Sequence, residues 1–77
     1  MIFKDVRKVI MNIIGIPEDE ILLESDLYNE LDIDSLDMSQ ILLALENKYK
    51  INIENEKVAE FKIVKDIVEN IENKINS

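Results

Sequence analysis

No cysteine and no histidine occur among the 77 residues of this chain. The first absence excludes a disulfide framework and any thiolate that acts as nucleophile or ligand. The second removes the commonest general base and the commonest zinc ligand together. Tryptophan is also missing, and there is a single glycine, Gly15, and a single proline, Pro17. No apolar run approaches the roughly 18 residues of a membrane span, and no signal-peptide pattern is present. The expectation is a soluble, cytoplasmic protein.

Basic residues are absent from residues 9–47 altogether. That stretch holds ten acids: Glu18, Asp19, Glu20, Glu24, Asp26, Glu30, Asp32, Asp34, Asp37 and Glu46. All nine Lys and Arg fall in the flanks, against seven acids, so the middle carries −10 and the flanks +2 of a net −8. Such a field repels nucleic acid and anionic membrane, and it draws basic protein surfaces toward it. Many acidic surfaces are only solvated faces. This one surrounds a serine expected to be exposed, Ser35, at the edge of a helical pattern.

What is present suits one small folded domain over residues 1–77. Hydrophobic residues make up 47% of the chain, too many for a disordered tail and enough for a core. Ile2, Phe3, Val6, Val9, Ile10, Ile13 and Ile14 fall on one helical stripe, which should end at Gly15, with Pro17 blocking continuation. Residues 15–34 show no sustained period, yet they carry Ile16, Ile21, Leu22, Leu23, Leu27, Leu31 and Ile33. So long a connection tends to be functional, and its apolar content implies that it packs across the core with a short helical turn. A second helix is expected from about Leu36 to Lys50, with Ile41, Leu42, Leu45 and Tyr49 as core stripe. Leu36, Ser39, Gln40, Leu43 and Asn47 line an adjacent face. Asp34 is the candidate N-cap and Asp37 completes a capping box. Ile51 and Ile53 read as extended chain leading to a short helix near Asn55 to Glu60. Val64, Ile67, Val68, Ile71 and Ile75 mark the last helix. The fold class is therefore all-α: a small four-helix bundle, three longer helices and one short one, with a long loop between the first and second.

The chemistry available is narrow. Without His or Cys, a nucleophilic serine needs Lys or a carboxylate as its base, and no Lys lies near Ser35 in sequence. A self-contained active site is not expected, and no catalytic residue is assigned. Tyr28 and Tyr49 sit at semi-apolar positions and are expected to pack in the core. Asp32-Ile33-Asp34 resembles the start of a calcium loop, but the places for glycine and glutamate hold Asp37 and Leu43, which rejects an EF-hand. No metal site is assigned. Taken alone, Asp34-Ser35-Leu36-Asp37 ahead of an amphipathic helix reads as a helix cap.

The surrounding chain, however, resembles acyl carrier proteins over nearly its full length. The resemblance rests on Asp34-Ser35-Leu36-Asp37, on Ile41-Leu42-Leu43-Ala44-Leu45-Glu46 with an aromatic at Tyr49, and on Ile53 followed by acids. The long loop before the serine and the closing helix from Val64 to Ile75 complete it. It implies that Ser35 bears a 4′-phosphopantetheine arm, installed from coenzyme A by a phosphopantetheinyl transferase. The arm would hold acyl groups as thioesters and present them to acyl-transfer and synthase enzymes with basic docking patches. The protein would be a monomeric, non-catalytic carrier, with fatty acid biosynthesis as its pathway. The docking surface implied comprises Asp34, Leu36, Asp37, Gln40, Leu43 and Glu46. Leu45, Ile53, Val58 and Phe61 are candidates for a pocket sheltering the acyl chain, or else ordinary core.

The chain departs from the fatty-acid carriers at several positions. Asp32 stands where they usually have glycine, Leu27 where they have an aromatic, and Glu54 where proline is frequent. Gln40 and Asn47 occupy places that are usually acidic. These departures admit a specialised carrier for polyketide, aminoacyl or D-alanyl groups. A reading of another class is an unmodified acidic helical adaptor that binds a basic protein. The charge pattern makes a prediction of its own: the −10 segment repels itself, so added salt or divalent cations raise the melting temperature. A melting temperature flat across ionic strength would show the acids to be compensated in space.

Overall fold

The first helix, α1 (Ile2–Ile14), forms because its apolar residues recur on one face, and Val6 and Ile10 on that face are fully buried. It ends at Gly15, whose φ of +80° is a left-handed conformation open to glycine. The Gly15 N–H closes the last turn on the Met11 carbonyl at 2.9 Å. The computed structural model describes residues 2–76. Met1 and Ser77, the ends of the expected 1–77 domain, lie outside the described residues.

Three further helices follow among the described residues: α2 (Ser35–Tyr49), α3 (Asn55–Val58) and α4 (Val64–Ile75). No strand is present among them, only an isolated bridge between Asp26 and Ile63. The all-α architecture read from the sequence is therefore observed. Helix α1 packs against both α2 and α4. Three helix boundaries differ from expectation by one or two residues. Helix α2 begins at Ser35, because Asp34 is its extended N-cap, and ends at Tyr49, because Lys50 adopts a left-handed conformation (φ 58°, ψ 46°) and caps it. Helix α3 stops at Val58, because residues 59–61 bond backward as tight turns, with Glu60 N–H on the Lys57 carbonyl and Phe61 N–H on the Val58 carbonyl.

The connection 15–34 is part of the core. It holds one 3-10 turn at Glu18–Glu20. Ile21, Leu27, Leu31 and Ile33 are all buried, and each contributes roughly 1.5–3 kcal/mol relative to an exposed side chain. Backbone bonds then stitch it to the entry of α4. Leu27 N–H donates to the Lys62 carbonyl at 2.9 Å, Val64 N–H to Ser25 at 3.2 Å, and Lys65 N–H to Leu23 at 2.9 Å. The last two satisfy amides at the start of α4 that have no partner within their own helix. Asp66 supplies the rest of that cap, accepting the Lys62 N–H at 2.8 Å and the Ile63 N–H at 3.1 Å.

Tyr49 and Tyr28, both expected in the core, take different places. Tyr49 is half-buried, and its hydroxyl donates to Asp5 Oδ2, tying the end of α2 to α1. Tyr28 is 43% exposed, because its neighbour Leu27 takes the inward position in the turn. The Tyr49 bond holds the Asp5 carboxyl below its ordinary 3.8 and, with burial as the larger cause, pushes the Tyr49 hydroxyl up from 10.0. Asp5's share of stability is thus complete above its ordinary pKa and fades as pH falls through the lowered folded-state value. Tyr49→Phe is predicted to cost about 1 kcal/mol at neutral pH, since solvent reaches both groups. In urea unfolding, the gap from wild type narrows in acid below pH 3.8.

Candidate functional site

Ser35 is the first residue of α2, and three features fix its outward aim. Ile33 before it and Met38 after it are buried, at 3% and 4% exposure. Asp34 between them is the N-cap: its Oδ1 accepts the Asp37 N–H at 2.7 Å. Asp37 reaches back to the Asp34 N–H at 3.4 Å, closing the box in a long, weak bond. With both neighbours anchored inward, Ser35 stays exposed at the positive end of the helix. One turn further on, the Ser39 hydroxyl donates to the Ser35 carbonyl at 3.0 Å.

The turn that delivers the chain to Ser35 is built from Asp26. Its carboxylate accepts the N–H groups of Asn29 at 2.8 Å and Tyr28 at 2.9 Å, and these bonds hold it below the usual carboxylate range. Asp32 then takes φ 56°. This left-handed position suits glycine and is tolerated by Asp. Asp32 thus holds a backbone conformation that glycine would also adopt.

Beside Ser35 lies an open cleft of about 700 Å³. Ser35 and Asp34 line it, together with Tyr28 and Ile33 from the loop. Helix α2 contributes Met38, Ser39, Leu42, Leu43 and Glu46. The opposite wall is Asn52, Ile53, Asn55 and Val58. The cleft's buried lining, Ile33, Met38, Leu42 and Ile53, is apolar, and among the described residues no basic side chain lines it. Of the pocket candidates, Ile53 and Val58 line this cleft. Leu45 does not, because it is fully buried in the main core. Phe61 does not either; it is 4% exposed and faces a separate, smaller groove between α3 and α4. Met38, Leu42 and Ile33 were not among the sequence candidates. Their helical or irregular spacing gives no sign of which side of α2 carries the cleft.

The residues expected at a docking surface are distributed unevenly. Leu36 and Leu43 are 66% and 58% exposed, and Gln40 between them is exposed too. At this spacing they share one face of α2. Asp34 and Asp37 adjoin that face, with one carboxylate oxygen each given to the cap. Glu46 is half-buried, and its Oε2 accepts the Ile53 N–H at 2.7 Å. Among the described residues, no group of three or more Asp, Glu, His or Cys side chains converges as a metal site, and no helix is long and apolar enough to cross a membrane. The site thus presents an exposed hydroxyl at a helix start, beside an apolar cleft with Asp34 and Glu46 in its lining.

Comparison with known proteins gives the same direction. A family model described as "Phosphopantetheine attachment site" matches residues 4–71. The chain is 34% identical over 74 residues to the acyl carrier protein of Coprothermobacter proteolyticus, covering 96% of this chain and 90% of the relative. It is 35% identical over 77 residues to that of Phytoplasma mali, covering 100% and 92%. It is 35% identical over 72 residues to that of Campylobacter lari, covering 94% of each. The cap beside Ser35 is open to test. Asp34→Ala is predicted to lower unfolding stability by about 1 kcal/mol, and Asp34→Asn by much less, because Asn keeps the capping oxygen. Equal losses in urea titration would remove the cap from the account.

Proposed function

This chain belongs to the phosphopantetheine-attachment family of acyl carrier proteins, whose cofactor is a covalent 4′-phosphopantetheine, and from that premise we propose that Ser35 is the attachment residue. The observation that carries the reading is the exposed Ser35 hydroxyl, held outward between buried Ile33 and Met38 and beside an apolar cleft. The arm supplies a terminal thiol for thioester linkage, a group that a chain without cysteine cannot provide. The chain's own residues position and recognise. Amides in the first turn of α2 favour an anion at Ser35. Asp34 and Asp37 oppose it by repulsion, and their value lies in drawing cationic partner surfaces. Leu36, Gln40 and Leu43 form the face for partner contact, with Glu46 at its edge.

Residues 1–77 act as a single carrier domain, non-catalytic itself and a substrate for its partners. Those partners are a phosphopantetheinyl transferase and acyl-transfer and synthase enzymes with basic patches. The apolar buried lining of the cleft favours a fatty acyl cargo, hence fatty acid biosynthesis. The carrier is a cytoplasmic monomer in this reading. With coenzyme A and a broad-specificity phosphopantetheinyl transferase, wild type is predicted to gain the mass of one arm, and Ser35→Ala to gain none. Modification of the alanine variant, or none of wild type while a control carrier is loaded, contradicts the assignment.

A further inference from the structure

Glu46 occupies a place where an acid would meet a partner's cation, yet its carboxylate is already engaged. Its Oε2 accepts the Ile53 backbone N–H at 2.7 Å, at the short, charge-assisted end of the range for N–H···O bonds. Its backbone carbonyl accepts the N–H groups of Lys50 and, at 3.1 Å, Ile51. One residue therefore ties down the whole reversal from α2 to α3. The reversal pivots on Lys50, whose left-handed conformation (φ 58°, ψ 46°) makes it the bend.

Beyond that bend lies the wall of the cleft that includes Ile53 and Val58. The wall is lightly held. Helix α3 is only four residues long and contains no buried residue. At its start, Glu54 pairs with Lys74 at 2.8 Å, but the pair is solvent-accessible, and such pairs contribute little. What secures the wall from the α2 side is Ile53, 6% exposed, and the bond from its amide to Glu46. Segments with few buried contacts open at low free energy, so one charge-assisted bond has leverage here.

Resting on the reading of the cleft as the shelter for an acyl chain, we propose that Glu46 is a latch that couples partner docking to cleft opening. Its carboxylate holds Ile53 and the α3 wall closed. A partner's Lys or Arg that draws the carboxylate outward frees the Ile53 amide to water and lets the wall swing about Lys50. The cation binds a freed carboxylate better than a committed one, and that difference drives the shift. The coupling is reciprocal: cargo that wedges the cleft open releases Glu46 and strengthens docking of a cationic surface. Glu46 is in this sense a positioning residue for the cleft.

The test reads the Ile53 amide by NMR hydrogen exchange in the unmodified protein, with the Ile41 amide as internal reference. Glu46→Gln keeps an acceptor oxygen and is expected to keep most of the protection. Glu46→Ala is expected to exchange about tenfold faster at Ile53 than Glu46→Gln, with Ile41 unchanged. A hexa-arginine peptide is expected to speed Ile53 exchange in wild type and to leave Glu46→Gln unmoved. Equal Ile53 exchange in the two variants, or none of the peptide effect in wild type, overturns the latch. An Ile53 response in a chain that no transferase loads supports the latch and removes the carrier reading alone. Loading at Ser35 without that response overturns the latch and leaves the carrier reading standing.

Discussion

The site depends on the burial of Ile33 and Met38 on either side of one exposed hydroxyl. Their insertion into the core sets the register of α2 from its first residue, and the Asp34–Asp37 cap locks that register. A slip of one residue along the chain would bring Asp34 or Leu36 to the place Ser35 holds and move the hydroxyl away from it. The rest of the fold supports this arrangement. The long connection could not deliver Ile33 to the core if it were a free loop, and Leu27 and Leu31 hold it down. Its backbone bonds to the start of α4 do the same from the other side.

Charge is arranged with the same economy. Cations in the flanks lie beside particular acids: Lys62 near Asp26, Lys48 and Lys8 near Asp5, and Lys74 and Lys57 near Glu54. Those acids are held below their usual range chiefly by hydrogen bonds, from Asn29 and Tyr28 to Asp26, from Tyr49 to Asp5, and from the Lys74 cation itself to Glu54. The cleft has no such compensation from its own lining, which among the described residues contains Asp34 and Glu46 and no basic side chain. Uncompensated negative potential beside an apolar face favours fast, salt-sensitive encounter with basic surfaces. In the proposed reading, that is what a carrier serving several enzymes in turn requires.

Helices α1 and α4 were plain in the sequence because their apolar residues repeat on one stripe and Gly15 marks an end. Ser35, its cap and the all-α class were legible for the same local reason. The connection was legible as buried, but its path was not. That path is set by single long-range bonds, such as Leu27 N–H to the Lys62 carbonyl, which leave no period behind. Tyr28 illustrates the limit: adjacent to Leu27, it was read as core and instead borders the cleft. Leu45 and Phe61 illustrate another. A stripe of apolar residues on α2 does not say which members face α1 and which face the wall carrying Ile53 and Val58. The bond from Glu46 to the Ile53 amide was equally invisible, since nothing in the spacing distinguishes an acid that greets a partner from one that fastens a loop.

The central claim is that Ser35 carries the phosphopantetheine arm. It is tested most directly on protein isolated from the cells that make it, by peptide mapping with tandem mass spectrometry. The account predicts a peptide spanning Asp34-Ser35-Leu36-Asp37 that carries the arm on Ser35 and ejects pantetheine on fragmentation. The same peptide found only unmodified, or the arm found on another residue, would contradict it.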